Sequence, residues 1–283
     1  MNALTVRAPA KINWFLSVLG RRPDGYHEIS SAMQLVGLSD EIEIAEDDGL
    51  SLVCGMDIPQ TDNLAYRAAA LLRERTGFTG GAKLILRKRT PSAAGLGGGS
   101  SDAAAALAGL NRLWGLGLGR DSLMRIAAEI GSDVPFFLNG PFACVSGRGD
   151  LVRPAPASGP YPLLLVKPDI GVSTAWAYGA LKKLTKKPID IKLFCHALDK
   201  GDFDLLRGMT ANDLEEPVVR SYPVVGEIRR ALFESGALFA AMSGSGPTLF
   251  GVFASRTEAE RAEAAFSGYW HQVTETLNAW EAP

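Results

Sequence analysis

From residue 91 the chain reads Pro91-Ser92-Ala93-Ala94-Gly95-Leu96-Gly97-Gly98-Gly99-Ser100-Ser101-Asp102, and Ala103-Ala104-Ala105-Ala106-Leu107 follows directly. Four glycines within five positions strip the backbone of Cβ atoms, so its N–H groups can approach a ligand closely. The alanine run is a strong helix former. A helix starting there aims unpaired N–H groups and the positive end of its dipole at the same place. A strand over Lys83–Arg87 must therefore feed the loop, and a helix over Ser101–Trp114 must leave it. Such a junction is an anion site, best suited to phosphate.

Three readings of the loop compete. A flexible Gly/Ser linker would not run straight into a strong helix former. A dinucleotide fingerprint, G-x-G-x-x-G, lacks its third glycine, where Ser100 stands, and Leu113-Trp114-Gly115-Leu116 offers no carboxylate for a ribose. A nucleoside-triphosphate loop remains. It is not a Walker A, because no Gly-Lys-Ser/Thr closes it.

The 283 residues suit two domains, and the sharpest composition shift, Pro154 to Pro160, sets the expected division into 1–157 and 158–283. Net charge is −2, from 29 basic and 31 acidic residues with no basic block, which speaks against a nucleic-acid partner. A negatively charged ligand must then be held by local groups. Cys54, Cys144 and Cys195 are odd in number and far apart in sequence. They form neither a metal spacing nor a disulfide framework and fit a reducing compartment. Met1–Arg7 lacks the apolar core of a signal peptide, and no apolar run approaches the ~20 residues of a membrane span. The expectation is a cytoplasmic protein with no membrane partner.

In chain order, Leu4–Arg7 predicts a strand, Ala8-Pro9-Ala10 a break, and Lys11–Leu19 a second strand. Period-two alternation puts Lys11, Asn13, Phe15 and Ser17 on one face and Ile12, Trp14, Leu16 and Val18 on the other. Lys11 and Asn13 are either a solvated edge or a polar pair at the mouth of a site. Arg22-Pro23-Asp24-Gly25 has a type I turn signature. Tyr26-His27 emerge from it as a plain strand edge or as an aromatic face and polar edge suited to a nucleobase. Met33–Ala45 reads as strand, and Asp62 or Asn63 caps a helix running to about Thr76. Asp102 complements the dipole of the helix it opens.

A further helix from Asp121 ends at Gly131, expected as a left-handed C′ residue. Val134 precedes Pro135 and is expected outside helical space. That puts Asp133 in a corner, as a helix cap or as a functional carboxylate. Gly147–Asp150 is a tight loop, and Ser173 or Thr174 starts another helix. Ala241–Phe253 is a second glycine-rich turn leading into a strand. Arg256–Phe266 is an exposed amphipathic helix, and Trp270–Pro283 reads as a tail.

Pro-x-x-x-Gly-Leu-Gly-Gly-Gly-Ser-Ser-Asp closely resembles the phosphate loop of the GHMP kinases (galactokinase, homoserine, mevalonate and phosphomevalonate kinases). Lys11, Arg22–Ile29, Gly131–Phe137, Asn212–Glu215 and Ala241–Phe253 resemble further segments of that family in the same order. The resemblance implies an α/β (α+β) two-domain GHMP kinase fold, with a ribosomal-protein-like N-terminal domain and a ferredoxin-like C-terminal one. It also implies ATP and Mg²⁺, with Pro91, Ser92, Ala93, Ala94, Gly95, Leu96, Gly97, Gly98, Gly99, Ser100 and Ser101 around the phosphates. Ser101 or Ser100 would stand near the metal, whose other ligands stay unassigned. Lys11 and Asp133 would be catalytic, the latter as base. Asn13, Tyr26 and His27 would bind the cytidine end of a small-molecule substrate. That substrate is expected to be 4-diphosphocytidyl-2-C-methyl-D-erythritol, phosphorylated on its 2-hydroxyl in non-mevalonate isoprenoid synthesis (the MEP pathway). Arg148 is placed at the diphosphate or in a surface turn, and Tyr178 at the cytosine or in the core. Asn212–Glu215 is expected to be structural.

Overall fold

A computed structural model describes residues 3–55, 58–185 and 188–280. Met1 and Asn2 of the N-terminal reading and residues 281–283 of the expected tail lie outside them. The alternating runs near the start of the chain form two long antiparallel strands, β1 (Ala3–Arg21) and β2 (His27–Asp47). Arg22–Gly25 turns between them, with the Gly25 N–H donating to the Arg22 carbonyl at 3.1 Å. β1 is one strand rather than the expected two. Pro9 has no N–H to give a ladder, and the chain passes it by a register shift between Pro9 and Lys11 instead of breaking. A second shift, between Asn13 and Phe15, turns Phe15 off the polar face of simple alternation and into the core with Trp14.

β3 (Leu50–Cys54) and β4 (Gly81–Arg87) pair in parallel, which requires a crossover, here helix α1 (Leu64–Thr76). Asn63 caps α1, its side chain accepting from the Ala65 N–H at 2.9 Å. The loop then leads into α2 (Gly98–Leu113), which starts earlier than the alanines suggest because Gly98 to Ser100 already form its first turn. Ser101 to Leu110 are all buried, against β1, β2 and α1, and only side chains this small allow neighbours on every side. At Gly109 even a Cβ would lie 2.5 Å from Ile44 Cδ1 and 3.1 Å from Val6 Cγ2.

Next come α3 (Arg120–Ile130) and the short α4 (Val134–Phe137). Gly131 ends α3 in extended backbone, at φ −177°, not in the expected left-handed cap. Val134 opens α4 instead of standing outside it, because Pro135 in a first helical turn has no intrahelical N–H bond to lose. β5 (Phe142–Gly147) and β6 (Leu151–Pro154) complete a six-stranded sheet of order β3-β4-β2-β5-β6, with β1 paired along β2.

The second sheet holds β7 (Pro162–Lys167), β8 (Phe239–Met242), β9 (Leu249–Val252) and β10 (Trp270–Glu275) in the order β10-β7-β9-β8. Helices α5 (Thr174–Gly179), α6 (Ile191–Lys200), α7 (Phe203–Met209), α8 (Glu215–Ser221) and α9 (Pro223–Glu234) fill the first crossover. With α10 (Arg256–Ala262) in the second, this is a ferredoxin-like βαββαβ arrangement enlarged in one connection. The expected tail is in fact strand β10, paired with β7. It is an edge strand in which only Val273 and Thr274 are buried, so it carries too little apolar alternation to be read in advance.

The two sheets share a core. Ile12, Trp14 and Phe15 of β1 pack with Leu163, Leu165, Phe194 and Phe250. Beyond β10, Thr276 bridges Val36, and the Leu277 N–H donates to the Leu35 carbonyl at 2.8 Å. Among the described residues no helix is long and apolar enough to cross a membrane. Because the packing around Gly109 admits no extra volume, Gly109→Leu is expected to cost about 1–3 kcal/mol. The reading is a lower urea midpoint at unchanged slope.

Candidate active site

Ala93 (φ 49°), Gly95 (φ 75°) and Gly97 (φ 69°) turn the loop. Gly95 is required on two counts. Its φ is left-handed, and a Cβ there would sit 2.1 Å from the Ser243 carbonyl oxygen and 2.9 Å from the Gly246 nitrogen. The second glycine turn is thus pressed against the first. Ser243 Oγ donates to the Gly95 carbonyl at 3.0 Å and accepts from the Asn13 N–H at 3.3 Å. Asn212 Nδ2 donates to the Met242 and Gly244 carbonyls, at 2.8 Å each, and so braces that turn. No side chain caps α2 at Gly97, which leaves the first-turn N–H groups and the helix dipole for an anion.

These elements wall a cavity of about 1230 Å³, onto which Pro91 to Ser100, Lys11, Asn13, Tyr26, His27 and Asp133 all face. Ser101 is absent from that wall. Its hydroxyl donates to the Pro9 carbonyl at 2.7 Å and is buried, so Ser100 is the hydroxyl that faces the cavity.

Lys11 is 3 % exposed, not a solvated edge residue. Its Nζ donates to Asn13 Oδ1 at 2.5 Å and to the Gly95 carbonyl at 3.0 Å, and lies 3.8 Å from Asp133 Oδ2. Burial pulls its pKa below the usual 10.5, and the Asp133 charge opposes that pull. Asn13 also donates Nδ2 to Ser31 Oγ at 2.8 Å, so its amide is engaged on both sides in holding Lys11. Asp133 stands at the N-cap position of α4, but its side chain makes no capping bond to that helix. One-third of it is exposed to the cavity, and it faces the ammonium beyond hydrogen-bonding distance. Both groups remain free to bond a third, such as an alcohol.

A second charged cluster, which sequence reasoning missed, stands behind the loop. Lys88 Nζ donates to Asp102 Oδ2 at 2.7 Å and also pairs with Asp40, which further accepts the Thr90 N–H at 2.7 Å. Burial acts to lower the Lys88 pKa, but the two carboxylates together raise it. Its signal was the run Arg87-Lys88-Arg89 between strand and loop, which reads as an ordinary solvated strand end. Burial pushes the Asp102 carboxyl up to about 7, Lys88 opposing and Asp40 adding to the shift. Asp102 is therefore more than a dipole complement.

At the other end, His27 stacks on Tyr178, with ring centroids 5.0 Å apart and planes 23° apart. Arg148 lies over the Tyr26 ring at 5.3 Å, and all four line the cavity. Burial and the Asp133 charge raise the Tyr178 hydroxyl, so it stays a neutral donor. Arg21, Lys182 and Lys183 add positive charge to the wall, supplying locally what the net charge of −2 does not.

The profile of the GHMP kinases N terminal domain matches residues 63–141, and that of the GHMP kinases C terminal matches 194–272. A protein of Thermodesulfovibrio yellowstonii named 4-diphosphocytidyl-2-C-methyl-D-erythritol kinase is 44% identical over 97% of this chain and 98% of its own. The chain belongs to the GHMP kinase family. A relative of the same name from Pelotomaculum thermopropionicum is 46% identical over 97% of this chain and 98% of its own. The crystal structure of a 4-(cytidine 5'-diphospho)-2C-methyl-D-erythritol kinase superposes with a TM-score of 0.85 at 33% identity, covering 98% of this chain and 100% of that one. Homoserine kinase from Cytophaga hutchinsonii, at 21% identity and a TM-score of 0.75 over 98% of this chain and 96% of its own, shares the fold. The two-sheet α/β (α+β) architecture is thus that of the GHMP kinases.

Gly95→Ala is expected to part the two glycine turns and lower nucleotide affinity at least tenfold, measured by calorimetry with an ATP analogue. Asp102 carries a pH signature. The unfolded carboxyl loses its proton near 3.8 and the folded one near 7, so its contribution to stability falls as pH rises through that window. Asp102→Asn removes this slope, as thermal melts at either end of the window will show.

Proposed function

We propose that this GHMP kinase transfers the γ-phosphoryl group of ATP to the 2-hydroxyl of 4-diphosphocytidyl-2-C-methyl-D-erythritol, a step of non-mevalonate isoprenoid precursor synthesis. One observation carries the reading: a single cavity holds the glycine loop, the Lys11–Asp133 pair and a Tyr26–His27–Tyr178 aromatic group. A base needs flat faces to stack on and polar edges to bond, and homoserine or mevalonate, which carry no base, would leave that group idle. The full-length relatives at 44% and 46% identity bear the matching name.

Phosphoryl transfer asks a protein for alignment and for charge stabilisation more than for covalent work. The N–H groups of Gly98, Gly99 and Ser100 and the bare backbone from Pro91 hold the triphosphate at the tip of α2. Lys88 adds a cation on the same wall. Mg²⁺ takes most of its ligands from phosphate and water, so the Ser100 hydroxyl, on the cavity wall at the first turn of α2, fits it. Bound there, it would neutralise charge on the β and γ phosphates. Asp133 accepts the proton of the substrate hydroxyl. Lys11 faces Asp133 across 3.8 Å and orients the alcohol between them. Tyr26, His27 and Tyr178 receive the cytosine, and Arg148 meets the diphosphate.

The reading divides the chain after residue 157, supported by the stretch between the end of β6 at Pro154 and the start of β7 at Pro162. It places the reaction in the cytoplasm, with no nucleic-acid or membrane partner, supported by three free cysteines and the near-neutral charge.

Asp133→Asn is expected to lower kcat by roughly 10²–10⁴ while ATP binding and circular dichroism stay unchanged. Near wild-type turnover would overturn the assignment of the base. Since Lys11 must be charged and burial lowers its pKa, kcat/KM should fall on an alkaline limb below pH 10.5. Lys11→Arg, which stays protonated, should move any residual activity's limb upward.

A further inference from the structure

The Asn212–Glu215 segment is docked on β1. The Leu16 N–H donates to the Ala211 carbonyl at 3.0 Å and the Asp213 N–H to the Leu16 carbonyl at 2.9 Å, which makes Asn212 a parallel bridge partner of Leu16. Asn212 braces the second glycine turn, but the carboxylate beside it is used elsewhere. Asp213 Oδ2 accepts the Val18 N–H at 2.7 Å and the Thr185 hydroxyl at 2.5 Å. The Thr185 N–H in turn donates to the Val18 carbonyl at 2.8 Å. One carboxylate oxygen thus ties β1 to the stretch that follows α5. Residues 181–185 form neither helix nor strand, so their place depends on bonds such as these. Leu181, Lys182, Lys183 and Leu184 line the cavity, and both lysines are exposed. Tyr178 precedes the stretch by three residues and is seated by α5, where it stacks on His27.

We propose that Asp213 is a positioning residue for substrate, holding residues 181–185 on β1 through Thr185 so that Lys182 and Lys183 meet the diphosphate of a nucleoside diphosphate whose base lies at Tyr178. This rests on the reading of the cavity as a cytidine diphosphate site. An aromatic wall binds a base but does nothing for two phosphates. The net charge of −2 offers no long-range attraction either, so the cations must be held where they are needed. A lysine is a point charge on a flexible four-carbon stem, and ordering it on binding costs affinity. Fixing the backbone beneath it lowers that cost. Bonds to an ionised carboxylate are stronger than neutral ones, which suits Asp213 to holding a stretch that has no ladder of its own. Asp213 itself bonds protein groups and acts on the substrate only through the stretch it anchors.

Calorimetry on the full-length protein measures binding of CDP, cytidine and an ATP analogue, and steady-state kinetics measures turnover of 4-diphosphocytidyl-2-C-methyl-D-erythritol. Asp213→Ala and Thr185→Val, which removes only the hydroxyl, should each weaken CDP binding and raise KM for that substrate by roughly fivefold. Binding of the ATP analogue and kcat should stay as they are. Thr185→Ser keeps the hydroxyl and should bind CDP as the wild type does. Uncharged cytidine should bind all of these variants equally, because α5 seats Tyr178 without the anchor. The double variant Lys182→Ala/Lys183→Ala should lose CDP affinity by a similar factor, and adding Asp213→Ala to it should cost little more, since the carboxylate acts through those lysines. Thr185→Val decides the matter if Asp213→Ala does not fold. Full CDP affinity in Thr185→Val, an equal loss of cytidine binding, or additive losses in the triple variant would overturn this proposal alone. A wild-type protein that binds no CDP would overturn the functional reading with it.

Discussion

A lysine ammonium taken almost entirely out of water is the constraint around which the rest of this molecule is arranged. Moving such a charge into a protein interior costs several kcal/mol unless partners replace its hydration. Lys11 finds them in Asn13, in the Gly95 carbonyl and in the nearby charge of Asp133. Each partner comes from a different place: the same strand, the phosphate loop, and the corner before α4. Meeting the needs of one buried charge therefore fixes β1, the loop and α4 relative to one another.

The second glycine turn completes the arrangement. Ser243 bonds the same Gly95 carbonyl that Lys11 bonds, and the Asn13 backbone as well. A carbonyl has two lone pairs, and here one atom uses both to tie the turn of the second sheet to Lys11 of the first. Proteins commonly accept strained or costly groups where chemistry needs them. The left-handed Ala93, the depressed lysine and the raised Asp102 all fall on the cavity wall.

The site was more legible in the sequence than the fold around it. Glycine and alanine density announces an anion loop because few other structures need it, and the pairing of Lys11 with Asn13 follows from strand alternation alone. Alternation fails where a bulge intervenes, so it puts Phe15 on the wrong face. Pro9 reads as a break because its effect on a ladder depends on the partner strand, which local sequence does not contain. Ser101 could not be told from Ser100 by composition, for the difference is a helical rotation of one residue. Lys88 stays hidden because its partners Asp40 and Asp102 are distant in sequence. The roles expected of Asp133 and Tyr26 come from the family resemblance, because residue types by themselves leave them undecided.

The ladder that Thr276 and Leu277 form with β2 bears on the order in which the chain acquires its structure. Gln34, buried in β2, donates to the Leu277 carbonyl at 3.0 Å, and Trp280 packs against the core that α2 forms with Val6, Leu35 and Ile42 of the first sheet. A nascent chain on the ribosome holds β1, β2 and α2 well before it holds the segment after β10 that pairs with β2. The first sheet thus gains its contacts to Thr276 and Leu277 only after the whole of the second sheet has been synthesised.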